Sequence, residues 1–196
     1  MSILTRIVAR LAKLPPAQTY DILTERDLKV PMPDGVVLLA DRYAPSSQDK
    51  LPTILIRSPY GRDIGSLLGP IFAERGFQVV VQSNRGTFGS GGKFDPFGDE
   101  KDDGVATIAW LKQQSWYACK LAMFGPSYLG YVQWSLAEAA ADDLGALAIQ
   151  VSTSEFREHS YAGKHSPYKR CCNGHISCHI RRNLSQPSDV WSLNGN

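Results

Sequence analysis

Cysteine is nearly missing from this chain of 196 residues: Cys119 stands alone until Cys171, Cys172 and Cys178 follow close together near the end. A body with one thiol is no disulfide scaffold and suits a reducing compartment, so a cytoplasmic location is expected. Long apolar runs are also missing, and no stretch can span a membrane as a helix. Neither sign of charge dominates, the formal net charge being +2. That sign belongs to the tail, where five Lys or Arg from Lys164 onward face one acid and leave −2 for the rest. The balance therefore gives no polyanion-binding surface, and neither nucleic acid nor membrane is an expected partner. The glycines at 86, 89, 91 and 92 do not make GxGxxG. What is present is 43% hydrophobic residues, enough for one domain with a sizeable core.

The apolar segments are punctuated as in an α/β protein. Residues Leu28–Val30 and Val36–Tyr43 flank Pro33-Asp34-Gly35, a hairpin signal. Leu51–Arg57 and Phe77–Ser83 read as strands buried on both faces. Between them Ile64–Arg75 predicts a helix ending at Gly76. Asp99–Gln113 predicts an amphipathic helix with acids in its first turn and Val105, Ile108, Ala109 and Leu111 facing inward. Leu121–Phe124 and Ala146–Val151 are further strands, separated by a helix over Tyr128–Ala141. This alternation implies a mostly parallel sheet with flanking helices and right-handed crossovers.

The densest signal lies over Leu121–Gly130, where an apolar strand ends in a serine, Ser127, between Gly125 and Gly130. A helix-forming run follows at once. Strand, sharp turn, serine and helix is the context of a nucleophile elbow. There the hydroxyl stands clear of the backbone, and the N–H groups opening the helix can hold an oxyanion. The commonest elbow has glycine two before and two after the serine; here Leu129 takes the second place. The alternative is a Gly-rich turn with an ordinary capping serine.

With this motif go Met32-Pro33-Asp34-Gly35, the Pro59-Tyr60 loop, the Gly-rich Arg85–Phe94 loop with its Phe88, Ser90 and Phe94, and the acidic helix carrying Trp110. In this order they resemble the cocaine esterase and Xaa-Pro dipeptidyl-peptidase family of serine hydrolases, over roughly Leu28–Gly163. The resemblance implies the N-terminal portion of an α/β-hydrolase fold. It makes Ser127 the nucleophile, the Tyr60 hydroxyl one oxyanion donor and the Tyr128 backbone N–H the other. It implies no cofactor and no metal. The substrate is then a small-molecule ester or amide, or a peptide with Pro at the second position. In α/β-hydrolases the triad Asp or Glu and then His follow the serine. Only 66 residues follow Gly130, so the triad Asp and His, the cap and a C-terminal β-domain are expected to be missing and the chain to be a truncated, inactive form.

Three regions are expected: an amphipathic arm over 1–19, a partial hydrolase domain over 20–163 and an irregular basic tail over 164–196. In the arm, Ile3, Ile7, Leu11 and Leu14 share one helical face, with Arg6, Arg10 and Lys13 off it and Pro15-Pro16 closing the helix. This arm packs on the body or on a neighbouring subunit; a basic, acid-free start also has the composition of a targeting segment. The non-periodic tail reads as a frame-shifted or truncated end. Its rival is a metal knuckle from Cys171, Cys172, His175, Cys178 and His179, although paired CxxC spacing is missing. His159 or His165 could stand in as base. Arg85 is expected to tie its loop to a neighbouring carboxylate or carbonyl, with Asp95 and Asp99 structural. Two other classes stay open: a non-catalytic scaffold using the tail as a contact arm, and a nucleotide-binding domain using Gly86–Gly92. Acids at 99, 100, 102 and 103 oppose a pyrophosphate there.

Overall fold

The computed structural model describes residues 3–46 and 50–152. The expected boundary at Gly163, all four histidines and the three clustered cysteines fall outside them. Chain order is α1 (Ile3–Leu11), β1 (Ile22–Pro31), β2 (Val37–Pro45), β3 (Leu51–Ser58), α2 (Gly65–Ala73), β4 (Gln78–Ser83), α3 (Glu100–Lys112), β5 (Tyr117–Pro126), α4 (Tyr128–Ala137) and β6 (Leu144–Gln150). One six-stranded sheet runs β1-β2-β4-β3-β5-β6. The β1–β2 hairpin and the β2–β4 pair are antiparallel, and β4, β3, β5 and β6 are mutually parallel.

Each element follows from local chemistry. The hairpin closes where the Asp34 carboxylate accepts the Val36 N–H (3.1 Å) and Gly35 takes φ +84°. β1 starts at Ile22, six residues before the expected Leu28, because a bulge between Glu25 and Leu28 hides the alternation. The central strands alternate between two cores. Leu55, Val80 and Met123 join Ile108 and Leu111 of α3 and Val132 and Leu136 of α4. Ile54, Ile56, Val79 and Val81 lie in the other core with Tyr43 and Phe72. The doubly buried reading of β3 and β4 is thus borne out.

Two helices present faces other than expected. On α3, Val105 and Ala109 are exposed, whereas Glu100, Asp103 and Thr107 are buried beside Ile108 and Leu111. Charge pairing decides this, since Glu100 meets Arg57 and Asp103 meets Arg85. On α1, Ile7 and Leu11 are exposed while Thr5 and Ala9 are buried. The small residues lie buried where this short helix meets α2, while Ile7 and Leu11 of the larger stripe turn away.

Candidate functional site

The candidate site forms at the C-terminal edge of the parallel strands. Register Leu55↔Met123 brings the exits of β3 at Ser58 and β5 at Pro126 level on adjacent strands. Ser83, at the end of β4, pairs with Ser58 on the other side of β3. The loops carrying Tyr60, Arg85–Phe94 and Ser127 therefore leave the sheet side by side. In open α/β sheets this edge is where ligands bind.

Ser127 occupies the β5–α4 corner with φ +57° and ψ −122°, a left-handed conformation disfavoured for a residue with a Cβ. Its N–H donates to the Gln150 carbonyl (2.9 Å), and its own carbonyl accepts from Gly130 and Tyr131 in the first turn of α4. The residue is exposed, and its side chain makes no capping hydrogen bond. The capping-serine alternative is therefore not what the geometry holds. Gly125, at φ +147°, lets Leu129 close over the strand end, since a Cβ there would stand 2.4 Å from the Leu129 Cβ. A Cβ on Gly130 would stand 2.5 Å from the Ser152 Cβ. Both glycines of the motif thus answer to close approach.

Tyr128 opens α4, so its N–H has no acceptor within the helix. Its side chain is anchored below the corner. The hydroxyl donates to Glu100 Oε1 (2.8 Å) and accepts from the Phe97 N–H (3.1 Å). The ring lies 5.0 Å from that of Phe97 and 6.1 Å from that of Phe94. Burial pushes the phenol well above its ordinary pKa, the Phe97 N–H pulls the other way, and the Glu100 carboxylate adds to the rise. Tyr60, two residues beyond Ser58, is 64% exposed, and its N–H donates to Ser58 Oγ (3.1 Å).

Beneath both loops runs a buried polar network that sequence reading missed. Arg57 is wholly buried and pairs with Glu100 at 3.2 Å. It also donates to the Glu100 carbonyl (2.6 Å) and to Gln82 Oε1 (2.9 Å). Asn84 donates to Glu100 Oε1 as well (2.7 Å). Burial lowers the Arg57 pKa, and the Glu100 charge opposes that shift. The available signal was an arginine directly after the apolar Ile54-Leu55-Ile56 run of a buried strand. Arg85 ties its loop down as expected: it chelates Asp103 with Nε and Nη2, holds Asp34 at 2.6 Å and has Asp99 at 3.6 Å. Those hydrogen bonds, Asp103's first, raise its pKa, and the Arg85 contact lowers that of Asp34.

No group of three or more His, Cys, Asp or Glu among the described residues is arranged to hold a metal ion. The knuckle candidates and His159 and His165 lie outside those residues. No helix among the described residues is long and apolar enough to cross a membrane.

The family model of the X-Pro dipeptidyl-peptidase (S15 family) matches residues 34–175, well over half of the chain. The cocaine esterase of Rhodococcus sp. (strain MB1 Bresler) is 35% identical over 135 residues, 66% of this chain and 24% of that enzyme. A CocE/NonD family hydrolase from Staphylococcus aureus superposes with a TM-score of 0.61 at 25% identity, covering 71% of this chain and 29% of its own. Est1E from Butyrivibrio proteoclasticus, at 19% identity, shares the fold with a TM-score of 0.59 over 72% of this chain and 61% of its own. This chain thus spans about a quarter of the curated relative it matches. Its mostly parallel sheet, flanking helices and structural neighbours are those of α/β-hydrolases, and the chain belongs to the X-Pro dipeptidyl-peptidase (S15) family.

Proposed function

We propose that this chain carries the nucleophile and oxyanion half of a serine hydrolase acting on acyl esters or amides, peptides with Pro at the second position among them. The observation that supports this most is Ser127: a strained, exposed corner whose hydroxyl is not used in capping. Ser127 Oγ attacks the acyl carbon and its proton passes to a base. The carbonyl electron pair moves onto oxygen, where the Tyr60 hydroxyl and the Tyr128 N–H hold the negative charge. Collapse expels the alcohol or amine, which takes up the proton, and water then releases the acid from the acyl-serine. The base and its acid partner are not among the described residues, and without them the serine is a weak nucleophile. The single body thiol, free Cys119, accords with a cytoplasmic setting.

The test is fluorophosphonate labelling of the 196-residue chain followed by intact-mass and peptide mapping. We expect slow modification selective for Ser127, because an oxyanion hole alone retains about 1000- to 10,000-fold acceleration when a triad member is lost. Tyr60→Phe lowers the labelling rate on the order of 100- to 1000-fold. Labelling without preference for Ser127 overturns the assignment. Modification at the rate of a working serine esterase means instead that His159 or His165 supplies a base.

A further inference from the structure

We infer that Arg62 is the positioning residue for Tyr60, clamping the loop that presents the phenol; this rests on the oxyanion role proposed above. Among the described residues no side-chain hydrogen bond holds the Tyr60 hydroxyl, so the direction in which its ring leaves the chain depends on the backbone. That backbone is tied by its neighbours. Two residues on, Arg62 gathers acceptors from four separate segments. It donates Nε to Asp41 Oδ1 on β2 (3.0 Å) and Nη2 to Asp27 Oδ1 at the β1 bulge (2.5 Å). Nη1 donates to Ser83 Oγ at the end of β4 (2.9 Å) and to the Phe88 carbonyl in the Gly-rich loop (3.1 Å).

Two features show that this is a built clamp rather than a surface ion pair. The Arg62 side chain is only 14% exposed and Asp41 only 2%. The bulge that sets Asp27 at φ +54° places its carboxylate on the guanidinium. Between Tyr60 and Arg62 sits Gly61 at φ +90°, pressed so closely by Phe88 that a Cβ would lie 2.8 Å from the ring. The Phe88 ring against Gly61 and the Arg62 guanidinium thus hold the two residues that directly follow Tyr60. Lysine could keep the charge but not the fork that reaches these acceptors at once. Asp41 would keep Arg26 as a partner at 2.8 Å, so Arg62→Lys is a variant expected to fold.

The experiment has two arms on the full chain. In the first, 3-fluorotyrosine is placed at position 60, and at buried Tyr117 as a control, and both are followed by fluorine NMR. Arg62→Lys and Asp27→Asn should broaden or split the position-60 resonance while the position-117 resonance and thermal midpoint hold. An unchanged position-60 line in both variants overturns the clamp. In the second arm the fluorophosphonate labelling rate of Ser127 is measured in a cycle of Tyr60→Phe and Arg62→Lys. Arg62→Lys alone should slow labelling on the order of ten- to a hundredfold, as small misplacements do. In the Tyr60→Phe background it should change nothing further. Additive losses overturn the inference, because Arg62 would then act independently of Tyr60. A perturbed position-60 resonance with no Ser127 selectivity would spare the clamp and overturn the hydrolase reading instead.

Discussion

Arg57 carries a full charge in the middle of the sheet, compensated by Glu100 and by neutral acceptors. Removing one partner of such a pair leaves the other charge buried and costs about 3–5 kcal/mol. Glu100→Gln should therefore lower the free energy of unfolding in urea by that order, and a loss below about 1 kcal/mol would mean that water reaches the pair. The phenols make a second prediction. Burial pushes Tyr117 up to about 12, with Asp143 and then Cys119 adding to the rise, and Tyr128 is also raised. An unfolded tyrosine ionises near pH 10. The folded state thus binds more protons above that value. The resulting stability is intact below pH 10 and is lost as pH rises toward 12. Thermal midpoints measured from pH 8 to 12 should fall only in the upper half of that range.

At the scale of elements, apolar periodicity located the strands and helices of the described residues but misassigned faces where polar contacts compete. In α3 the alternation of Val105, Ile108, Ala109 and Leu111 was legible. What turned the helix was the pull of Arg57 and Arg85 on Glu100 and Asp103, and those partners lie in other elements. In α1 the large side chains marked a stripe, yet the small residues Thr5 and Ala9 are the buried ones. This gives a direct comparison of variants. Leu11→Gln, at a residue 78% exposed, should leave the thermal midpoint nearly unchanged. Ala9→Glu places a charge at an 8% exposed site and should cost roughly 1–3 kcal/mol. The reverse ranking in thermal melts would restore the stripe as the packed face.

For the whole molecule, the consequence lies at the end of the sheet. Among the described residues β6 pairs with β5 alone, and its other edge offers unpaired backbone groups. Such an edge is a template for pairing with another chain. Sedimentation velocity should accordingly show concentration-dependent association of the full chain. A single monomeric species throughout would mean that this edge of β6 is not open to pairing.

The short-range features were determined by the sequence itself. Apolar runs of strand length, turn residues at Asp34-Gly35 and Gly125 before Ser127 each act within a few residues, so their order along the chain suffices to read them. The corner at Ser127 was legible from the residues around it, although Gln150 and Ser152 hold it from the neighbouring strand end. The tertiary structure alone decided which distant groups meet. Glu100 and Tyr128 are 28 residues apart, and Arg62 and Asp27 are 35 apart. A guanidinium and a carboxylate attract over any sequence separation, and only the sheet order β1-β2-β4-β3-β5-β6 brings these particular pairs into contact.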